Sequence, residues 1–167
     1  MKQEVQSTAH SKKNTMQKTI SLKFLLYALY PMLFAALLFS SPELKTIPLH
    51  IGSKQFVVEI ADTEEKHLRG LMFREFIPDN FGMLFVYGEE EYRSMWMKNC
   101  RVHLDIIFLD ANKKVINMYI NVPPCEMEPC RTYVSKSPVK YVLELRGNLA
   151  KELKLKPGDT IFFILDK

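Results

Sequence analysis

No phosphate-cradling glycine loop, no HExxH helix and no EF-hand loop occurs in the 167 residues. Cysteine is scarce. The three present, Cys100, Cys125 and Cys130, include no CxxC pair, which removes the four-thiolate zinc site and the thioredoxin-type motif. Ser135 has no GxSxG around it. No two carboxylates stand in a setting that argues for glycoside hydrolysis. Repeats, collagen-like periodicity and long disordered tracts are also missing, and 47% apolar with 25% charged residues is an ordinary globular composition. Nothing here implies a metal or a cofactor.

Excess charge is missing from most of the chain as well. The formal net charge is +4. Lys2, Lys12, Lys13, Lys18 and Lys23 against Glu4 place all of that excess in residues 1–40 and leave 18 basic and 18 acidic residues beyond them. A neutral domain lacks the footprint of a polyanion binder, so nucleic acid is not an expected partner.

One long hydrophobic run is present. Phe24–Phe39 reads FLLYALYPMLFAALLF without a charge, and no core helix of a domain this size is apolar all round. Lysines precede the run and SSPELK follows it, which predicts an N-terminus left inside and a C-terminal domain carried across the membrane. Two readings of residues 20–40 stand side by side: a cleaved signal peptide and an uncleaved membrane anchor. The run is short for a spanning helix of about 17–25 residues and long for a signal core of about 7–15. Leu38-Phe39-Ser40-Ser41 is a weak cleavage motif, and no cysteine follows to carry a lipid. Met16 offers an alternative start with a compact basic segment ahead of the run. The expected organisation is a basic polar tail at 1–19, the hydrophobic segment at 20–40, a linker and first strand at 41–54, and one β-rich domain at 55–167.

Within that domain, Ile47–Ile51 and Gln55–Ile60 predict a hairpin about Gly52-Ser53-Lys54. Asp62-Thr63-Glu64-Glu65 predicts a helix start, with His67, Leu68, Leu71 and Met72 at helical spacing and Gly70 marking close packing or an early end. Strands are expected at Met83–Tyr87, Arg93–Met97, Asp105–Leu109, Val115–Val122, Tyr141–Arg146 and Thr160–Leu165. A short helix is expected at Asn148–Leu153. Prolines 123, 124, 129 and 138 predict an irregular stretch over 123–138. The expected class is α+β, predominantly β: a small antiparallel barrel or sandwich of about eight short strands with two short helices.

Several separated motifs occur in a distinctive order: Arg69-Gly70-Leu71-Met72-Phe73-Arg74, Gly82-Met83-Leu84-Phe85, Trp96-Met97-Lys98-Asn99, Leu104 to Asp110, then Cys130, Tyr133, Ser135, Val142-Leu143-Glu144-Leu145 and Gly158-Asp159. Over about residues 55–163 the chain resembles the family known as domain of unknown function 192. The resemblance implies a compact β-rich domain, often exported, in bacteria and archaea, and implies no reaction, cofactor or catalytic set. Cys100 departs from the family pattern, which usually has Thr after the Lys-Asn pair.

Candidate site residues each carry two readings. Outside the cytoplasm Cys125 and Cys130 can close a small disulfide loop; free thiols and a redox or metal pair are the alternatives. Cys100 is then the odd thiol. Trp96 and Lys98 share one strand face, with Met97 and Asn99 on the other, and so form either a stacking and charge platform for a sugar or anion, or a core aromatic with a rim lysine. His103 and Asp105 share a face near Tyr133 and Ser135, as a polar pocket with a base or as a surface histidine and a turn-capping acid. Arg69 and Arg74 clamp an anion, or pair with acids such as Glu144 or Asp159. Gly158-Asp159 reads as a turn.

The expected function is an exported or membrane-anchored, non-enzymatic envelope module, periplasmic or at the cell surface, binding a small molecule, a glycan or an envelope protein. The alternative is an extracytoplasmic enzyme using His103 and Asp105 or a thiol.

Overall fold

The computed structural model describes residues 45–165. The hydrophobic segment 20–40 lies outside them. Among the described residues no helix is long and apolar enough to cross a membrane.

The elements run β1 (Thr46–Ile51), β2 (Lys54–Ala61), α1 (Glu64–Arg69), β3 (Phe81–Glu91), β4 (Ser94–Trp96), β5 (Leu104–Leu109), β6 (Val115–Val122), β7 (Thr132–Val134), β8 (Val139–Arg146), α2 (Leu149–Glu152) and β9 (Phe162–Phe163). The class is the expected one, predominantly β with two short helices. Seven strands form one curled sheet in the order β6-β5-β8-β3-β2-β1-β9, and β4 pairs with β7 in a second, two-stranded sheet.

The β1–β2 hairpin forms in the expected place, with Ile51 opposite Lys54 across the turn. One pair departs from the antiparallel expectation: β2 and β3 run parallel, Val57 beside Phe81 through Ala61 beside Phe85. The reason is the crossover through α1 and the loop after it, which carries the chain back to the starting end of β2 so that β3 runs in the same direction. β7 interrupts the stretch expected to be irregular. Its three residues are held by pairing Tyr133 with Met95, a partner remote in sequence.

The last segment was expected as a single strand over Thr160–Leu165. Instead it divides its bonds between the two edges of the sheet. Thr160 bridges to Lys114 beside β6, and Ile161 N–H donates to Lys113 O at 3.0 Å. Two residues later Phe163 pairs with Leu49 of β1. A curled sheet whose edges are tied this way leaves fewer open strand edges.

Alternation along the strands feeds two cores. Leu84, Ile107, Leu109, Leu143 and Leu145 join the β1–β2 side chains, Leu149, Ile161 and Phe163 on one face. Met83, Phe85, Leu104, Ile106, Phe108 and Val142 pack on the other face against Leu71, Ile77, Met95, Met97 and Tyr133. The second cluster therefore depends on α1, its following loop and the β4–β7 pair to keep water off the sheet.

Asp105 lies in β5, where every residue is buried. Its Oδ1 accepts from Asn121 N–H at 2.7 Å and Asn148 N–H at 2.9 Å, and its Oδ2 accepts from Ala150 N–H at 2.6 Å. Asn148, at the N-cap of α2, makes no side-chain cap bond. The carboxyl of a distant strand thus satisfies helix-start N–H groups that would otherwise be orphaned. Removing an acceptor from buried donors costs about 1–3 kcal/mol per group. Asp105→Ala is therefore expected to lower stability by about 3 kcal/mol or more, measured by urea unfolding. A loss below about 1 kcal/mol would show that these three bonds do not hold α2 on the sheet.

Candidate functional site

Helix α1 begins where the sequence indicates, with Thr63 as cap and its side chain accepting from Lys66 N–H at 3.3 Å. It ends earlier than Leu71 and Met72 suggest. Gly70 takes φ 46° and ψ −137°, a backbone that L-residues rarely adopt, and Leu71 then turns into the second core. A Cβ on Gly70 would stand 3.2 Å from Phe85 Cζ and 3.9 Å from Glu144 Oε2. Its absence leaves an opening above the Glu144 carboxyl.

A narrow cleft occupies that opening, lined by residues 67–72 of α1 and its exit, by Phe85, Met95, Trp96, Lys98 and Cys100, and by Glu144. Its free interior is ≈ 20 Å³, room for about one water-sized group. At one side Trp96 is 41% exposed. Lys98 Nζ lies 5.4 Å from the Trp96 ring centre and 2.6 Å from Glu128 Oε1. The guanidinium of exposed Arg69 has no ion-pair partner among the described residues. His67 is a fixed wall. Its Nε2 lies 2.9 Å from Ala61 O and 3.2 Å from Val86 O, and because carbonyls only accept, Nε2 carries the proton. Its ring packs 4.4 Å from that of Tyr87.

Glu144 is 3% exposed, and its carboxyl makes no hydrogen bond or ion pair among the described residues. Burial lifts its pKa to about 8, because a charge without water or a partner is disfavoured. Burial, with the nearby Glu144 charge adding to it, pushes the Cys100 thiol up to about 12. Tyr87 is also raised to about 12, by burial first, with Arg93 opposing and Glu144 reinforcing. The floor of the cleft is therefore a set of neutral groups at neutral pH. Cys100 is disarmed as a nucleophile, since the thiolate is the reactive form.

Among the residues singled out from sequence, the fold brings Arg69, Trp96 and Lys98 to this cleft. Arg74 faces away and pairs with Glu59, and neither arginine pairs with Glu144 or Asp159. Asp159 instead accepts from Lys156 N–H at 3.0 Å within its turn. Asn99 sits outside, at φ 56°, its amide donating to Met72 Sδ at 3.7 Å. His103 and Asp105 form no pair: the carboxyl is engaged with α2, while exposed His103 lies 3.4 Å from Asn121 O. Ser135 is buried, and its Oγ accepts from Arg93 N–H at 3.0 Å. Tyr133 stacks edge-on against Tyr119 at 5.1 Å. It lines a second, wider hollow with Met97, three prolines and the loop closed by the Cys125–Cys130 disulfide.

A family model described as DUF192, Uncharacterized ACR, matches residues 47–163. The chain belongs to this family. Its relatives include a UPF0127 protein of Pyrococcus furiosus, 29% identical over 109 residues that make up 62% of this chain and 84% of that protein. Another, from Pyrococcus abyssi, is 32% identical over 64% of this chain and 86% of its own. A crystal structure from Sinorhizobium meliloti, whose description proposes a transcription regulator, superposes with a TM-score of 0.68 at 30% identity, covering 74% of this chain and 98% of that one. A protein of unknown function from Novosphingobium aromaticivorans gives 0.64 at 31% identity, covering 74% and 88%. These two solved structures share the β-rich fold of this chain.

Glu144 was legible in sequence as an acid within the otherwise apolar Val142-Leu143-Glu144-Leu145 and as a pairing partner for Arg69 or Arg74, which the fold does not make. Its linkage to stability follows from the shift. The unfolded chain releases this proton near 4.5, the folded one near 8. Between those values the folded state holds one proton more, so stability falls as pH rises, by about 1.4 kcal/mol per unit, and levels off above the folded value. Glu144→Gln removes this slope. Urea unfolding of both proteins from pH 4 to 9 is expected to show the variant gaining on the parent steadily to about pH 8. Parallel curves would show that Glu144 is not buried as a neutral acid.

Proposed function

We propose that this protein is an exported, non-enzymatic binding module that receives part of a small molecule, a glycan or an envelope protein in the cleft above Glu144. One observation carries this reading. A nearly fully buried carboxyl, 3% exposed and without a partner among the described residues, opens into a cleft whose rim holds an exposed tryptophan, a lysine and an arginine with no ion-pair partner among the described residues. Buried polar groups are nearly always hydrogen-bonded, and those left open at a concave surface mark where a ligand supplies the missing bond.

The enzyme alternative draws less support from the same geometry. Asp105 and Ser135 are engaged with backbone N–H groups, His103 has no carboxylate beside it, and Cys100 holds its proton. The Sinorhizobium structure is described as a proposed transcription regulator. Against that for this chain stands the balance of 18 basic and 18 acidic residues in 41–167, because duplex binding rests on neutralising phosphates. Export is supported by the uncharged run Phe24–Phe39 behind basic residues and by the disulfide, which an oxidising compartment maintains.

Thermal-shift measurements on the full chain with glycan fragments, peptides and small anions test the binding role. A ligand at about 100-fold over its Kd adds about 2.7 kcal/mol and is expected to raise the Tm by several degrees, with the shift lost in Trp96→Ala. Absence of any shift across these classes would defeat the small-ligand reading. A C-terminal reporter active only in a reducing cytoplasm is expected to stay dark, and N-terminal sequencing then separates a cleaved signal from a retained anchor. A bright reporter would overturn export.

A further inference from the structure

The charges around the cleft name the group it takes, and this inference rests on the binding role proposed above. The titratable and charged groups that line the cleft with Glu144 are Cys100 from the loop after β4, His67 and Arg69 from α1, and Lys98 beyond β4, and Tyr87 of β3 lies close enough to feel the Glu144 charge. Tyr87 and Cys100 are neutral, and His67 donates its Nε2 proton to two carbonyls. Among the described residues no cation pairs with the Glu144 carboxyl and no acceptor stands against it, so it keeps its proton and presents an open O–H donor. The rim has positive character. Arg69 lacks an ion-pair partner among the described residues, and Lys98 shares its charge with the well-exposed Glu128. A neutral donor beneath a positive rim is complementary to an anionic oxygen and hostile to an ammonium group. The interior of ≈ 20 Å³ admits the tip of a ligand and no ring.

We propose that the cleft binds a carboxylate, one of whose oxygens accepts the Glu144 O–H while Arg69 stands over the other and Trp96 flanks the body of the ligand. A carboxylate is flat and presents two oxygens, whereas phosphate and sulfate bring a bulkier tetrahedron to a space that takes about one group. The carboxylate can belong to a peptide C-terminus or to an organic acid such as a uronate. The chemistry at the floor is the same for both.

Trp96 is the one tryptophan in the chain and stands at the cleft, so its fluorescence reports occupancy directly. Four probe pairs separate the possibilities: a short peptide with a free C-terminus against its C-terminal amide, glucuronate against glucose, acetate against methylammonium, and acetate against inorganic phosphate. At pH 6.5 the free-acid peptide or glucuronate, whichever is the source, is expected to bind at least tenfold more tightly than its neutral counterpart. Affinity should then fall about tenfold per pH unit above the point where Glu144 ionises. Glu144→Gln, whose amide N–H replaces the O–H, is expected to keep binding and lose that pH dependence. Arg69→Ala is expected to weaken binding several-fold. Equal binding of the neutral counterparts, tighter binding of phosphate than acetate, or methylammonium binding that strengthens with pH would overturn the carboxylate assignment while leaving the cleft a binding site. Silence from these probes and from every class in the thermal-shift series would instead defeat the binding role itself.

Discussion

Strand β8 lies between β3 and β5, and both of its faces are covered. Such a strand has to be apolar residue after residue, and Tyr141, Val142, Leu143 and Leu145 comply. Each core is built against one of its faces: Leu143 and Leu145 look toward the β1–β2 side, Val142 toward the layer made by α1, β4 and β7. Glu144 breaks the rule at the centre of the sheet. A carboxyl placed there either finds a partner or keeps its proton. Among the described residues it has no partner, and the proton it keeps turns a flaw in packing into a hydrogen-bond donor at the foot of a cleft.

A second buried carboxyl shows what the first is not. Asp105 and Glu144 sit on neighbouring strands, where Ile106 lies opposite Glu144 and Asp105 opposite Leu145. They point to opposite faces of the sheet. Asp105 is saturated by three backbone N–H groups and ties α2 and the end of β6 to the sheet. Glu144 has none. Burial raises the pKa of both, but at Asp105 the backbone donors oppose that shift, and at Glu144 nothing does. Partners, more than burial, separate the structural acid from the available one.

The layer over the second core ties the cleft to the disulfide loop. Met97 O accepts from the backbone N–H groups of Cys100 and Cys125, each at 3.2 Å, and Glu128 within that loop holds Lys98 beside Trp96. The wall bearing Trp96 is thus supported from the crosslinked segment, although β4 has only three residues. A short strand cannot hold a platform by ladder bonds alone. Pairing with β7 and the loop bonds supply the rest.

Most strand segments, the hairpin, the cap of α1 and the turn at Asp110–Lys113 were readable because each is set by neighbours in sequence: alternation, turn residues, a capping threonine. The motif order was enough to indicate the family. The parallel β2–β3 pair, the strand at Thr132–Val134 and the split bonding of Thr160–Leu165 were not readable, because their partners lie far along the chain. The same holds for the site. Trp96, Lys98 and Arg69 were visible as residue types, but their convergence depends on Gly70 ending a helix early. Asp105 read either as half of a catalytic pair or as a turn-capping acid until the fold brought α2 to it. Local chemistry in the sequence determined which elements form. Only the tertiary structure decided which acid would be left without a partner, since that depends on donors contributed from strands and loops that meet after folding.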